Sequence, residues 1–144
     1  MWFNPIIQWL LRSPFHSFVS KNMMLISYTG RKSKKEYTTP VNYLRMVQGE
    51  DQFLATTSLR ERRWWRNLRG GAPVTVRIQG EDHPATAEVI EDDPGVAENL
   101  CGYLRLCPDL AKYFNVRLEG SGQPTDEDIA NAASTRVFIK THLV

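Results

Sequence analysis

The alternation of apolar and polar positions along the chain predicts a mainly β protein. Residues 23–29 form an apolar run typical of a buried strand, and residues 74–78 alternate Val and Ile with polar side chains, as half-buried strands do. β-branched and aromatic residues favour strands elsewhere in the chain. We predict six strands, at residues 23–29, 37–47, 53–57, 74–78, 83–90 and 135–141.

Helix signals surround this β-rich region. Asn4-Pro5 combines a capping side chain with a proline suited to the first helical turn, and Ser13-Pro14 repeats the pattern. Thr125 with Asp128 three residues later resembles a capping box. Helices are therefore predicted in an N-terminal segment over residues 1–21, and at residues 64–69, 94–106, 108–114 and 125–133.

Tight turns join most of the predicted strands, which favours antiparallel pairing. Pro40 cannot donate a ladder hydrogen bond, so we expect it at a sheet edge or a bulge. The expected fold class is α+β, mainly antiparallel β: a small split β-barrel with peripheral helices. We expect one domain over residues 1–144, with the N-terminal segment packed on or beside the barrel.

Composition agrees with a folded domain, since 42% of residues are apolar and 24% are charged. The net charge of +2 argues against nucleic-acid binding through overall charge. No stretch reaches the ~18 apolar residues that a membrane span needs. We expect a cytoplasmic protein in which Cys101 and Cys107 stay reduced. The alternative for the apolar residues 1–11 is a peripheral membrane contact, and no feature indicates an oligomeric state.

Basic residues are concentrated in two short windows. Nine of the eighteen lie there: Arg31, Lys32, Lys34, Lys35, Arg60, Arg62, Arg63, Arg66 and Arg69. This distribution predicts a local positive patch for an anionic ligand. In the first window, Gly30 can adopt positive φ, and the N–H groups that follow can then converge on an anion. A solvated basic hairpin tip is the equally weighted alternative for this turn.

The second window contains side chains that could bind a planar ring. Thr56, Thr57 and Ser58 end a strand with three hydroxyls, and two adjacent tryptophans follow among arginines. Such a mixture suits a planar, anionic ligand. Trp64 and Leu68, four residues apart, are also typical of a buried helical face. Because adjacent tryptophans cannot face the same way, we expect one of them in the core and the other at solvent or at a pocket.

Side chains typical of acid–base or metal catalysis are not arranged in any familiar pattern. His16, His83 and His142 are interpreted as structural, and no Ser-His-Asp set is suggested. The run Glu91-Asp92-Asp93 precedes a helix, whose dipole it complements. We expect no metal site. A cofactor that carries the chemistry would make acid–base groups unnecessary.

Several of these motifs, taken together, resemble the deazaflavin-dependent nitroreductase and quinone reductase family. The resemblance is firm over residues 14–89 and rests on Tyr28-Thr29-Gly30-Arg31-Lys32-Ser33, Pro40-Val41, Tyr43, Trp64-Trp65-Arg66-Asn67-Leu68 and Pro73-Val74. It implies a split β-barrel of the flavin-reductase-like superfamily. It also implies the deazaflavin coenzyme F-420, and hydride transfer to a quinone, a nitro compound or another electron-poor small molecule.

The resemblance also implies which residues bind the cofactor. Its anionic tail is held by Gly30, Arg31, Lys32 and Ser33. The groove continues along Pro40, Val41 and Asn42. The ring system is approached by Thr56, Thr57 and Ser58, with Trp64, Asn67 and Leu68 packed behind it. Tyr103 and Tyr113 are candidates for the substrate site, and no catalytic acid or base is implied.

Two positions depart from the family pattern. Lys34 replaces a glycine that usually follows the serine; if that position needs positive φ, lysine costs about 1–2 kcal/mol. Leu59-Arg60-Glu61 is bulkier than the glycine-rich loop of several relatives. The alternatives are FMN or no cofactor, and a non-enzymatic carrier of a fatty acid or tetrapyrrole. A more distant alternative is a single-stranded nucleic-acid binder.

Overall fold

The computed structural model describes residues 23–106, 111, 114, 116–117 and 125–144. The strands are β1 (Met23–Thr29), β2 (Glu36–Asn42), β3 (Leu44–Gln48), β4 (Asp51–Leu59), β5 (Ala72–Ile78), β6 (Glu81–Ile90) and β7 (Arg136–Leu143). The helices are a 3-10 helix (Trp64–Leu68), α1 (Asp93–Leu106) and α2 (Asp126–Thr135). The predicted helices over residues 1–21, with their membrane alternative, and most of the turn at 108–114 lie outside the described residues.

All seven strands belong to one antiparallel sheet with the order β2-β1-β5-β6-β7-β4-β3. The two strands at its ends, β2 and β3, are consecutive in the chain and are separated only by Tyr43. The sheet must therefore curl until its ends meet. This arrangement confirms the predicted α+β fold, mainly antiparallel β, in the form of a split barrel.

The prediction of one strand over residues 37–47 is wrong, because the segment is divided into β2 and β3. β2 pairs with β1 over its whole length, whereas β3 pairs with β4. The chain changes partner at Tyr43, whose side chain is only 6% exposed and anchors the joint in the core. Pro40 lies in β2, which stands at the end of the sheet and pairs only with β1 among the described strands, so the predicted edge position is confirmed.

Two hydrophobic clusters lie on opposite faces of β4 and β7. Leu54, Val137 and Ile139 face the inner cluster with the buried side chains of β1 and β5. Phe53 and Phe138 face an outer cluster, which α1 and α2 cover. Because successive strand side chains point to opposite faces, β4 and β7 are buried on both sides. The outer cluster therefore attaches the helices to the sheet.

The predicted start of α2 is confirmed, since the side chain of Thr125 accepts a hydrogen bond from the backbone N–H of Asp128. Asp128 also accepts from both the backbone N–H and the guanidinium Nε of Arg117, each at 2.9 Å. These bonds, chiefly the one from the guanidinium, lower the pKa of Asp128 from 3.8 to about 2. The ionised carboxylate therefore connects α2 to the segment that precedes it.

We expect Asp128→Asn to lower the free energy of unfolding at neutral pH and to flatten its decrease in acid. The depressed pKa means that the carboxylate stabilises the folded protein above pH ~4 and loses this effect as the pH falls towards about 2. Urea unfolding between pH 7 and pH 2 measures the effect, with Asp126→Asn in the same helical turn as the control. Parallel profiles for Asp128→Asn and the unmodified protein would contradict the expectation.

Candidate functional site

A groove opens where the curled sheet loses its strand pairing. β3 pairs with β4 up to Leu44 opposite Ala55, but β2, which precedes it, pairs only with β1. Residues 39–42 of β2 and 57–59 of β4 therefore flank an opening of about 270 Å³. The remaining walls are Arg62, Trp64, Tyr103, Phe114 and Arg136. This opening is the split of the barrel, where neither strand has a ladder partner on that side among the described strands.

The 3-10 helix is attached to the end of β4 by its two indole N–H groups. Trp64 Nε1 donates to Ser58 Oγ at 3.1 Å, and Trp65 Nε1 donates to the carbonyl of Leu59 at 3.2 Å. Trp65 is buried, whereas Trp64 is half-buried and forms a wall of the groove. The expectation of one core tryptophan and one at a pocket is confirmed.

The interpretation of Leu68 as a core residue is confirmed, but the tryptophan fully buried beside it is Trp65, whereas Trp64 is only half-buried. The segment is a 3-10 helix, in which side chains three residues apart share a face. The buried pair is accordingly Trp65 and Leu68. With this shorter period Trp64 does not share the face of Trp65 and Leu68: it packs against the edge of the inner cluster and forms a wall of the groove.

Lys34, and not Gly30, has the left-handed backbone in the basic turn. The φ of Lys34 is 60°, while Gly30 is not among the residues with positive φ. Gly30 is needed for a different reason: a Cβ there would lie 2.6 Å from Ser33 Oγ and 2.8 Å from Tyr37 Cε2. The turn is closed by Gly30 N–H to the Lys35 carbonyl and by Lys34 N–H to the Gly30 carbonyl.

Replacing Lys34 with glycine is expected to stabilise the protein by about 1 kcal/mol, because glycine adopts this φ without steric cost. Thermal and urea unfolding measure the change. Lys35→Gly is the matched control, since it removes the same charge at a residue without positive φ. A loss of stability in Lys34→Gly comparable to that in Lys35→Gly would contradict the expectation.

The turn is docked onto the 3-10 helix through Asn67. The Asn67 carbonyl oxygen accepts from the backbone N–H of Arg31 at 3.0 Å, and its amide donates to the carbonyl of Trp64 at 2.9 Å. The guanidinium of Arg31 donates to the carbonyl of Arg69. Asn67 and Arg31 therefore place the turn beside Trp64, which is a wall of the groove.

Two backbone N–H groups of the turn remain available. Those of Lys32 and Ser33 have no partner among the residues that the structure describes. The Ser33 hydroxyl shares a hydrogen bond with the hydroxyl of Tyr37 at 2.9 Å and accepts from Lys35 N–H. Lys32 is exposed beside these N–H groups. The turn can thus offer an anion two amides and an ammonium, although its serine hydroxyl is already engaged.

The predicted positive patch is smaller than the sequence suggests. Arg69 makes a bidentate pair with the carboxylate of Glu91, at 3.0 and 2.9 Å. Arg60 pairs with Asp93 at 2.9 Å and donates to the carbonyls of Glu91 and Ala133. These two arginines hold the end of β6 against the helices. Two residues of the acidic run also serve the helix start: the Asp92 carboxylate accepts from Gly95 N–H at 2.8 Å, and Asp93 lies in the first turn of α1.

Arg136 is a site residue that the sequence reasoning missed. It begins β7 at the base of the groove, half-buried, with its guanidinium 4.3 Å from the centre of the Phe114 ring. Burial lowers its pKa, and it has no carboxylate partner among the described residues. Arg136 reaches the groove because it pairs with Leu59 in the sheet. No local sequence motif predicts this pairing.

The structure brings together about half of the predicted site residues. The groove is lined by Pro40, Val41, Asn42, Thr57, Ser58, Trp64 and Tyr103. Thr56 and Leu68 do not line it, because they are 1% and 0% exposed and face the barrel interior. Residues 30–33 lie in the neighbouring turn. Tyr113 lies outside the described residues. Thr39, Leu59, Arg62 and Phe114 also line the groove and were not predicted as site residues.

Other candidate chemistry lies away from the groove. Over residues 23–106 and 125–144, no group of three His, Cys, Asp or Glu side chains could hold a metal ion. In the same part of the chain, no helix is long and apolar enough to cross a membrane. Cys101 is a free thiol whose pKa is raised by burial, and Cys107 lies outside the described residues. His142 contacts Asp51 at 2.9 Å.

Comparison with known proteins gives one family match and several structural similarities. The model of the F420H(2)-dependent quinone reductase family matches residues 14–106, which is more than half of the chain. No curated protein sequence gives a significant match.

The solved structures are similar at low sequence identity. The FAD and heme binding protein from Mycobacterium smegmatis has a TM-score of 0.51 and 14% identity, over 92% of this chain and 66% of that one. A protein of unknown function from Agrobacterium tumefaciens has a TM-score of 0.50 and 14% identity, over 99% and 61%. An F420-H2 dependent reductase has a TM-score of 0.44 and 19% identity, over 83% and 94%. At such identities the first two similarities concern the fold alone.

Proposed function

This chain belongs to the F420H(2)-dependent quinone reductase family, and we propose that it transfers hydride from the reduced deazaflavin coenzyme F-420 to a quinone or another electron-poor small molecule. The family match confirms the resemblance seen in the sequence. The observation that carries the proposal is the position of the basic turn directly beside the groove, connected to it through Asn67 and Trp64. A flat ring with an anionic tail requires such a pair of neighbouring sites.

The groove fits the ring portion of the coenzyme. Its volume of about 270 Å³ is close to the lower end of small-molecule sites, which range over ~300–1,000 Å³. The indole of Trp64, fixed by its bond to Ser58, offers a flat apolar wall. The open edges of β2 and β4 offer backbone amides and carbonyls, which can bond to the polar edge of a heteroaromatic ring.

The turn fits the anionic tail of the coenzyme. Lys32 supplies a point charge, and the amides of Lys32 and Ser33 supply directed donors. Arg31 and Asn67 act by holding the turn in place. Lys34 adds charge next to these groups, and its left-handed backbone shows that the turn forms without the family's usual glycine.

The residues of the groove contribute orientation and exclusion of water. When bound, the reduced coenzyme supplies the hydride, so no protein acid or base has to act at that step. Trp64 and residues 39–42 would fix the plane of the ring, while Tyr103 and Phe114 close the groove on the helix side. Holding two reactants face to face in a dry site supplies a large share of the rate acceleration.

Titration of the purified protein with the coenzyme tests the proposal, with the fluorescence of both partners as the signal. We expect saturable binding that weakens as the ionic strength rises, because charges in the turn contribute. Lys32→Ala should weaken binding about five- to tenfold without changing the unfolding temperature, since an exposed charge contributes little to folding. Arg45→Ala, an exposed change on β3, is the control.

Two results would contradict the proposal. One is the absence of saturable binding at low salt. The other is equal weakening by Lys32→Ala and Arg45→Ala, which would show a general charge effect. FMN titrated under the same conditions separates deazaflavin from flavin binding. A structural relative binds FAD and heme, as its name states, but no histidine is among the described residues that line the groove here.

A further inference from the structure

A second compartment adjoins the groove at Arg136. The two spaces share three wall residues, Leu59, Phe114 and Arg136. The second space has a volume of about 630 Å³ and extends along the C-terminal half of α2. Its walls there are Asn131, Ala132 and Thr135. The shared residues form the junction between the two spaces. A molecule in the second compartment would therefore lie next to a ring bound in the groove.

Arg136 makes this junction positive. Its guanidinium is half-buried against the Phe114 ring, 4.3 Å from the ring centre. Glu61 also lines the compartment, but it is exposed and makes no ion pair with Arg136. A partly buried cation without a counterion among the described residues is unfavourable by itself and gains from an anion placed against it.

We infer that the second compartment is the site of the electron acceptor and that Arg136 selects acceptors with a negatively charged oxygen. This inference rests on the proposed function, which places the coenzyme ring in the groove. Because the two spaces share three wall residues, an acceptor in the second compartment would lie next to the ring, as hydride transfer requires. The ligand class is a quinone, or a similar cyclic carbonyl compound, that carries an anionic oxygen or gains one during reduction.

The chemistry of quinone reduction explains why a cation belongs there. A quinone that accepts a hydride gains two electrons and one proton, and the reduced coenzyme loses the same hydride. One quinone oxygen is then an anion until water donates a second proton. A guanidinium at the junction stabilises this developing charge, and a fixed donor that faces such a charge is among the strongest contributions a protein makes to catalysis.

Arg136 also has a structural role that the experiment must separate. It directly follows α2, where a positive charge complements the C-terminal end of the helix. Its backbone N–H donates to the carbonyl of Ala133. Loss of the side chain could therefore reduce stability as well as binding. Binding of a charged and a neutral quinone to the same variant distinguishes these effects, because instability would reduce both.

Equilibrium dialysis of the coenzyme-free protein with two quinones tests the inference. Lawsone is anionic at neutral pH because its ring hydroxyl is ionised, whereas menadione has a similar size and is neutral. We expect Arg136→Gln to weaken lawsone binding about tenfold and menadione binding less than twofold. Arg63→Gln, which removes the same charge at an exposed position outside both spaces, should change neither.

A second variant tests the compartment itself. Thr135→Trp adds an indole at an exposed wall of the second space and leaves the groove walls unchanged. It should weaken the binding of both quinones while coenzyme binding stays as in the unmodified protein. If Arg136→Gln does not fold, Arg136→Lys replaces it, because lysine keeps the charge without the planar fork. Its lawsone affinity should lie below that of the unmodified protein by less than tenfold.

Three outcomes overturn the inference. They are no lawsone binding by the unmodified protein, equal weakening of both quinones by Arg136→Gln, and unchanged quinone binding by Thr135→Trp. Failure of the proposed function has a different signature: the coenzyme titration is then negative, whereas the dialysis experiment can still show the preference for the anionic quinone. The two results together identify which statement is wrong.

Discussion

Replacing Phe138 with alanine is expected to lower the free energy of unfolding by about 3–5 kcal/mol. Phe138 is fully buried on the outer face of β7. Its ring makes edge contacts with Phe53 and Tyr103, at centroid distances of 6.5 and 6.1 Å. Truncation therefore leaves a cavity between the sheet and its helices, and both neighbouring rings lose a partner.

The effect should extend to the groove. Tyr103 lines the groove and is held between Phe138 and Phe114. Urea unfolding measures the stability, and coenzyme titration of the folded variant measures the site. Phe138→Leu is the matched control, because a volume closer to the original usually costs less than about 1.5 kcal/mol. A loss below about 1 kcal/mol in Phe138→Ala, closer to the effect of an ordinary surface substitution, would show that the helices are not anchored by this ring.

Replacing Asn67 with leucine is expected to weaken coenzyme binding about tenfold, which corresponds to about 1.4 kcal/mol. It should also destabilise the fold by about 1–2 kcal/mol, because two backbone groups lose their partner. Asn67 joins the basic turn at Arg31 to the 3-10 helix at Trp64. Without this connection, the basic turn and the groove are no longer held at a constant separation.

Asn67→Asp provides the internal control. The aspartate keeps an acceptor for the Arg31 N–H and loses the donor to the Trp64 carbonyl. We expect Asn67→Asp to be more stable than Asn67→Leu. It should bind the coenzyme less well than the unmodified protein, because its negative charge repels the anionic tail. Isothermal titration with the coenzyme measures both variants. Full affinity in Asn67→Leu would show that the turn is positioned without Asn67.

Much of the fold follows from local patterns in the sequence. The strand ends at Met23 and Thr29 are as predicted, and so is the capped start of α2 at Thr125. These features depend on residue preferences and spacings that act over a few positions. The break at Tyr43 was not predicted, because a change of pairing partner has no signal in the strand that makes it.

The basic turn was predicted only in part from its sequence motif. Its position between two strands and the backbone requirement at Lys34 could be inferred from the residues and the resemblance. The role of Gly30 could not, since the limit there is the approach of Ser33 and Tyr37. The charges were also misjudged, because Glu91 neutralises Arg69 across twenty-two residues of chain.

The sequence by itself determined the class of fold, the family, the two segments proposed to bind the cofactor, and that one of the adjacent tryptophans would lie outside the core, at solvent or at a pocket. Only the tertiary structure decided which side chains meet. The curled sheet brings β2 near the end of β4, the 3-10 period places Trp64 at the wall of the groove, and pairing with Leu59 brings Arg136 to the junction. The reason is physical: local preferences act within a few residues, whereas the groove is built from contacts between strands far apart in the chain.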